Sequence, residues 1–415
     1  KPESENSIIN IFEKWDIEAY KIGTVIKEPN INIYYKNELV ADLPINPLVD
    51  CPTYTLEPKK PTINSNKPKF NFNIKNLQKH IYEFISNNNL SSRTSVFQRY
   101  DHQVQNNTVI VPGHSSAGVR IKETGDTLLL TTDGNSRYCS FDPYLGTIIT
   151  VAESCRNIST LGGTPLAITN CLNFGNPENP EIYYQLDKAT TALSEASEFF
   201  NAPVISGNVS LYNETPTGSI KPTPIISTLG IKKNSDSIIK SGFVNNNDLV
   251  YLLGTENINL SEKTLLGSEY ENYFYKSVSG IPSISLENEK KLHDTNISLI
   301  EKKIIKSAND CSDGGLLSTV IEKCFLGSTG FKFTTELDES LLISSLFGEI
   351  NSRIIVSIDP KVEKKLTTEL ESVKLPYIKI GEVTNDDILI INKSLSLDLS
   401  ILKEKWLNKL GQISN

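Results

Sequence analysis

Apolar residues between positions 182 and 200 fall at Ile182, Leu186, Ala189, Leu193, Ala196 and Phe200, in alternating steps of 4 and 3. That spacing lines one face of an α-helix and predicts a buried stripe over 182–200. A second helix is predicted over 148–161, closed by Gly162-Gly163, since glycine tolerates the left-handed backbone of a helix end. Around these lie strand-like runs at 127–132, 203–206 and 225–231, the middle one leading into a turn at Gly207-Asn208. From 233 the texture resumes with strands over 248–253, 353–358, 377–383 and 388–391. A helix over 316–325 carries apolar pairs at Leu316-Leu317, Val320-Ile321 and Cys324-Phe325. Strands alternating with helices predict an α/β or α+β architecture.

The beginning of the chain differs. Ile8, Ile9, Phe12 and Trp15 make a short helical pattern, and 19–23 and 31–35 alternate like paired strands, too little to bury a core alone. Pro, Lys and Asn crowd 58–68, which reads as a linker. The segments so delimited are 1–60, 61–232 and 233–415, in keeping with two or three domains for 415 residues.

Composition adds a few exclusions. With 38% hydrophobic and 22% charged residues the chain has material for a real core. Its 41 Lys+Arg against 49 Asp+Glu leave a net charge of −8, which offers no basic field for nucleic acid. No apolar run approaches the roughly 18 residues of a membrane helix, and the start has no signal pattern. The six cysteines are scattered without a C-x-x-C pair, as suits reduced thiols, and a cytoplasmic location is expected. The sequence opens at Lys1 and contains no Met, and the opening suggests a fragment or a processed product.

Polar clusters where a strand or apolar helix meets a Gly-containing turn are the candidates for chemistry, because α/β proteins bind ligands at such ends. Asp133-Gly134-Asn135-Ser136-Arg137-Tyr138 follows the 127–132 strand. Glu153 and Asn157, four apart on the 148–161 helix, project from one face about 6 Å apart. A carboxylate and an amide oxygen so placed can hold Mg²⁺, though local sequence alone favours a plain helix-surface carboxylate near Arg156. The string from Asn170 to Pro177 fits a ligand loop or an Asn-rich turn. The string from Ser206 to Glu214 offers a Gly that lets backbone amides approach phosphate, or an ordinary strand-end turn. Asp310-Cys311-Ser312-Asp313-Gly314-Gly315-Leu316 opens the 316–325 helix, either as an N-cap or as an anion site. The four histidines lack H-x-x-x-H and H-E-x-x-H spacing, which argues against a metallohydrolase. Cys171 lacks the elbow of a glutaminase nucleophile, and no Walker-type phosphate loop occurs.

In this order, the strings DGNSRYCSFDPYLG, AESCRN, PLAITNCLNFGNPENPE, PVISGNVSLYNET, LGSEY, NDCSDGGL and LFGEINSR resemble the synthetase subunits of phosphoribosylformylglycinamidine synthase, PurL-type members of the AIR-synthetase-like superfamily. The resemblance runs from about residue 100 to the C terminus, while IFEKWDIEAYKIG and ELVADLP resemble the end of the family's preceding domain. It implies an AIR-synthetase-like pair of domains: a mixed sheet backed by helices at 61–232 and an α/β sandwich at 233–415, preceded at 1–60 by the tail of another such domain. The family carries two copies of that pair, so the chain corresponds to the C-terminal portion of a subunit.

The resemblance also implies an activity. In the family, ATP phosphorylates the amide oxygen of formylglycinamide ribonucleotide to an iminophosphate, and ammonia from a glutaminase then displaces phosphate to form the amidine. The implied cofactors are ATP and Mg²⁺. The implied partners are that ribonucleotide, a glutaminase subunit, a small accessory subunit and the missing N-terminal half, with neither nucleic acid nor membrane. The family's histidine-containing catalytic motif lies in the first copy, so this chain is expected to hold no catalytic residue and to be inactive alone.

Matched by motif, Asn170 and Gly207 resemble nucleotide-contacting positions, Asn208 a Mg²⁺ ligand and Ser210 a substrate contact of a composite active site. Glu153, Asn157 and Asp310 resemble metal ligands, and Ser312 a nucleotide contact, of a second, auxiliary site. Two departures stand out: Pro112-Gly113-His114-Ser115-Ser116 occurs where the family usually has an Asp soon after Pro-Gly, and Asn170 where an Asp often occurs. Two other readings stay open. One is a non-catalytic scaffold half with a structural nucleotide site; the other is a different kinase or ligase of the superfamily, such as a selenophosphate synthetase.

Overall fold

The computed structural model describes residues 1–51, 55–63, 66–71, 74–234 and 238–411, and divides into a unit of Lys1–Leu56 and a unit of Glu57–Asn415. In the first, helix Glu5–Glu13 precedes an antiparallel hairpin of Asn30–Tyr35 with Glu38–Pro44. The expected pairing of 19–23 with 31–35 is corrected. Asn30–Tyr35 pairs instead with the segment after it, because Lys36 and Asn37, at φ 49° and 67°, form the tight left-handed turn a two-residue hairpin needs. None of the residues in these three elements is buried.

The second unit holds two large sheets. One is six-stranded, in spatial order Thr108–Ile110, Ala117–Arg120, Thr127–Asp133, Thr223–Lys232, Thr164–Asn173 and Val204–Ser210. Its neighbours are antiparallel except the last two, which are parallel and joined through the helix Pro180–Phe199, as a parallel pair requires. That helix and Pro143–Thr160 cover one face, where Ile148, Val151, Ile168, Leu193, Phe200 and Ile226 form a core. The 182–200 stripe is buried as its period demands, apart from Leu186, which is half-buried against Leu172, Phe174 and Ile182. Both helices start ahead of their apolar pattern, because Asn179 and Asp142 each cap a first turn that opens with proline.

The turn expected at Gly207-Asn208 is corrected too. Val204–Ser210 runs straight through both residues, each paired with Thr164–Asn173, and the left-handed residue comes only at Tyr212, φ 58°.

The other sheet has seven strands, in order Ile305–Asp310, Ile354–Ile358, Leu249–Leu253, Tyr377–Thr384, Gly330–Phe333, Ile388–Ile391 and Leu395–Asp398. Alternation along Leu249–Leu253 sends Val250 and Leu252 into one core and Leu249, Tyr251 and Leu253 into another, so both faces are covered. Gly315–Gly327 packs on the first face, and Leu286–Glu301 with Glu363–Ser372 on the second. Helix Leu77–Ile85 precedes the six-stranded sheet in sequence yet buries Leu77, Ile81 and Phe84 in the core of the seven-stranded one. Of the 58–68 linker, residues 64 and 65 lie outside the described residues, while the Lys59 amide donates to the Pro180 carbonyl at 2.9 Å. Among the described residues no helix is long and apolar enough to cross a membrane.

Candidate functional site

The ends of Thr127–Asp133 and Ile305–Asp310 meet the middle of Pro143–Thr160, and this brings Asp133, Glu153, Asn157 and Asp310 together. Asn157 Nδ2 donates to Asp133 Oδ1 at 2.9 Å, and Thr131 Oγ1 to Asp133 Oδ2 at 3.0 Å. Burial and the charge of Asp310 push Asp133 up to about 7. Burial, with the charges of Asp133 and Asp310, pushes Glu153 well above the usual carboxylate range, and burial raises Asp310 against the pull of Arg156. Acids that repel one another in a poorly hydrated space are the environment a hard cation relieves.

Asn157 Oδ1 and Asp310 Oδ2 are buried without a hydrogen-bond partner. Open oxygen donors of this kind suit Mg²⁺. Among the described residues, no group of three or more His, Cys, Asp or Glu is gathered tightly enough to cage a metal, so the cluster supplies donors on one side of a ligand and leaves the rest to phosphate or water. Ser116, near the departure from the family pattern, donates its hydroxyl to the Asn157 carbonyl at 3.1 Å and adds no charge.

Arg156, 1% exposed, backs the cluster. It pairs with Glu289 and stands 3.8 Å from Asp310 Oδ2. Glu289 also meets His293 Nε2 at 2.9 Å and accepts from the Ser352 hydroxyl. Burial opposes its ionisation, but Arg156 and His293 hold Glu289 at about 2. Sequence reasoning assigned no role to Asp133, Arg156 or Glu289. The first two lie inside strings it quoted, whereas Glu289 sits in a polar helix that gave no signal.

Asp310 and Ser312 also line a cavity of about 420 Å³, together with Thr319, Glu322, Phe325 and Trp406. That volume lies within the range of small-ligand sites. Capping by Asp or Ser, one reading of the 310–316 string, does not form: Gly314 is the N-cap, at φ 78° and without a side-chain bond.

The second group lies at the open edge of the six-stranded sheet. The parallel register pairs Asn170 with Gly207, Cys171 with Asn208 and Asn173 with Ser210. A Cβ at position 207 would stand 2.6 Å from Asn170 Oδ1, so the Asn170 amide lies over the Gly207 backbone in the space a side chain there would fill. Strand alternation puts Asn208 and Ser210 on one face and Gly207 on the other. Asn208 Nδ2 lies 3.8 Å from Cys171 Sγ, and Ser210 Oγ 3.2 Å from Asn213 Oδ1. Gly207 and Asn208 are exposed, and Asn170 and Ser210 half-buried. Ile226 pairs with both Asp133 and Asn170, so one row of residues across the sheet leads from the acidic cluster under the helices to the open edge.

Residues 113–232 match the AIR synthase related protein N-terminal domain, and residues 246–392 its C-terminal domain. The phosphoribosylformylglycinamidine synthase subunit PurL of Thermoanaerobacter pseudethanolicus is 36% identical over 418 residues, covering 98% of this chain and 56% of that protein. Among solved structures, Thermotoga maritima PurL complexed with FGAR is 25% identical, with a TM-score of 0.58 over 93% of this chain and 52% of the other. The same protein complexed with AMPPCP is 25% identical, with a TM-score of 0.55 over 87% and 50%. The chain thus spans about half the length of the curated relatives it matches, 56% of the one above. Two sheets matched by the paired domain signatures, and one-third identity along nearly the whole chain, lead to one assignment: the chain belongs to the AIR synthase related family, in the branch formed by the PurL subunits of phosphoribosylformylglycinamidine synthase.

Proposed function

We propose that the chain is the C-terminal part of the ATP-dependent ligase that converts formylglycinamide ribonucleotide to formylglycinamidine ribonucleotide in purine biosynthesis, in the cytoplasm. The observation that carries this reading is the strand edge. Asn170, Gly207, Asn208 and Ser210, matched by motif to nucleotide, Mg²⁺ and substrate contacts, stand in register on two neighbouring strands. Residues 164–173 and 204–210 carry a single titratable side chain, Cys171. Such an edge can bind and orient, and apart from the Cys171 thiol it has no group to act as a general acid or base.

In the proposed reaction the γ-phosphoryl of ATP passes to the amide oxygen of the substrate, giving ADP and an iminophosphate. Ammonia adds at the amide carbon, and phosphate leaves with the former amide oxygen. Mg²⁺, when bound, neutralises phosphate charge. Asn208 Oδ1 serves as its ligand, the Gly207 backbone and the Asn170 amide meet the nucleotide, and the Ser210 hydroxyl meets the ribonucleotide. Groups that move protons come from the missing N-terminal half. Its docking here is supported by Ile205 and Val209, exposed by 68% and 54% on an edge strand whose outer side pairs with no other strand among the described residues, the kind of edge native proteins cover. A glutaminase subunit and a small accessory subunit complete the assembly. In the auxiliary site, Glu153, Asn157 and Asp310 would offer oxygens to one side of Mg²⁺, with phosphate and water completing its shell, and Ser312 would meet the nucleotide, in a structural role.

The test is reconstitution with the N-terminal half of a PurL subunit, supplied with ATP, Mg²⁺, formylglycinamide ribonucleotide and ammonium. Amidine should form, and Asn208→Ala should lower kcat by about 100-fold. No product from the reconstituted subunit overturns the reading.

A further inference from the structure

Arg137 lies in the helix Ser136–Phe141 and is buried, yet it touches neither group of site residues described above. Its Nη1 donates to the Gly267 carbonyl and its Nη2 to Asp313 Oδ1, both at 2.6 Å. Nε lies 3.2 Å from Glu269 Oε2, and Nη1 3.5 Å from Glu349 Oε2. Glu349 in turn accepts at Oε1 from the amides of Glu269, at 2.9 Å, and Gly314, at 2.8 Å, and at Oε2 from the Tyr138 hydroxyl. Four of the strings quoted for the family resemblance therefore meet in one buried network, through Arg137, Glu269, Gly314 and Glu349.

The network grips one particular turn. Gly314 and Gly315 lie at φ 78° and 70°, and a Cβ at Gly315 would stand 2.8 Å from the Gly348 carbonyl. These left-handed residues swing the chain from the strand bearing Asp310 into the helix Gly315–Gly327, with Ser312 between them at the cavity. No side chain of the turn caps that helix. The turn is held from behind, by Glu349 at the Gly314 amide and by Arg137 at the Asp313 carboxylate.

We propose that Glu349 and Arg137 are positioning residues of the auxiliary site: they fix the 312–315 turn in the shape that presents Ser312 and Asp310 to a Mg²⁺-nucleotide. The proposal rests on the reading of that cavity as a nucleotide site. Burial and the charge of Asp313, only partly offset by Arg137, push Glu349 up to about 7, so a neutral isostere stays close to the native charge state. An amide oxygen at the same place still accepts from Glu269 and Gly314.

The experiment is isothermal titration of Mg-ADP into the full 415-residue chain, well below its melting temperature, with thermal melts alongside. Glu349→Gln should bind within about 3-fold of the unaltered chain, and Glu349→Ala at least about 10-fold more weakly. Tyr138→Phe, which removes one bond to Glu349 and opens no cavity, should weaken binding by about 3-fold with a small change in melting temperature. This variant decides the matter if Glu349→Ala does not fold. Rescue by Gln, with affinity lost out of proportion to stability, is the signature of positioning. Equal affinity in all folded variants overturns the inference while leaving the site standing. No saturable binding by the unaltered chain overturns the site and the inference together.

Discussion

The acidic cluster at Asp133 and the strand edge at Gly207 stand at the two ends of one row across a sheet, with Asn208 in the next row, and the two regions differ in what each needs. The cluster lies beneath helices, with buried oxygens left open and Arg156 behind it, and every residue assigned to it comes from this chain. The edge is exposed, nearly free of titratable groups, and presents Ile205 and Val209 on the face opposite Asn208. On the proposed function, a site of the first kind binds alone, while one of the second kind is a surface that needs its other half. The difference separates two kinds of experiment: the cluster should answer in the isolated chain, and the edge only after reconstitution.

The largest expected effect falls on the cluster's support. Arg156→Ala strands Glu289, which is fully buried, and should cost about 3–5 kcal/mol of unfolding free energy in urea titrations. A loss below about 1 kcal/mol would mean that the pair is no more than a surface ion pair in its energetics.

Next comes ligand linkage. Mg-ADP at 100 times Kd should stabilise the isolated chain by about 2.7 kcal/mol, read as a shift in thermal melts. Glu153→Ala and Asp310→Ala should lose most of that shift. An equal shift in all three chains would remove these residues from the site.

A pH series sharpens the same point. Asp133 sits at about 7 in the fold against an ordinary 3.8, so between those values the folded chain holds a proton that the unfolded chain has lost. The stability this group contributes is therefore full below about pH 4 and drains away as pH rises to about 7. Mg²⁺ should offset the loss, so its stabilisation should be larger at pH 8 than at pH 5, and Asp133→Asn should flatten the dependence. Melts with the same Mg²⁺ shift at both pH values would contradict the electrostatic account.

The smallest effect belongs to the edge. Asn208→Ala and Ser210→Ala should change the stability of the isolated chain by no more than about 0.5 kcal/mol. A larger loss would make these residues part of the fold rather than of an incomplete site.

Local pattern carried the fold where burial is periodic. The 182–200 stripe gave its helix, and the alternating run at 225–231 became the full-length strand Thr223–Lys232, whose burial alternates along its whole length. The pattern failed at Gly207-Asn208, where small polar residues resemble a turn and only pairing with Thr164–Asn173 keeps them extended. It also failed at Leu286–Glu301, whose buried Glu289, His293 and Asn296 break the apolar stripe because they serve a polar network. Contacts such as Tyr138 with Glu349, 211 positions apart, leave no local trace. The strings that carry those residues were nonetheless legible as a series, which is how the family was recognised while the network inside it was not.

The central claim is that this chain supplies one side of a composite ligase site. The most direct measurement is formation of formylglycinamidine ribonucleotide from its amide precursor with ATP, Mg²⁺ and ammonium, by the chain alone and by the chain combined with the N-terminal half of a PurL subunit. The account predicts no turnover alone, turnover on combination, and loss of that turnover with Asn208→Ala. Turnover by the isolated chain, or turnover on combination that is indifferent to Asn208, would contradict it.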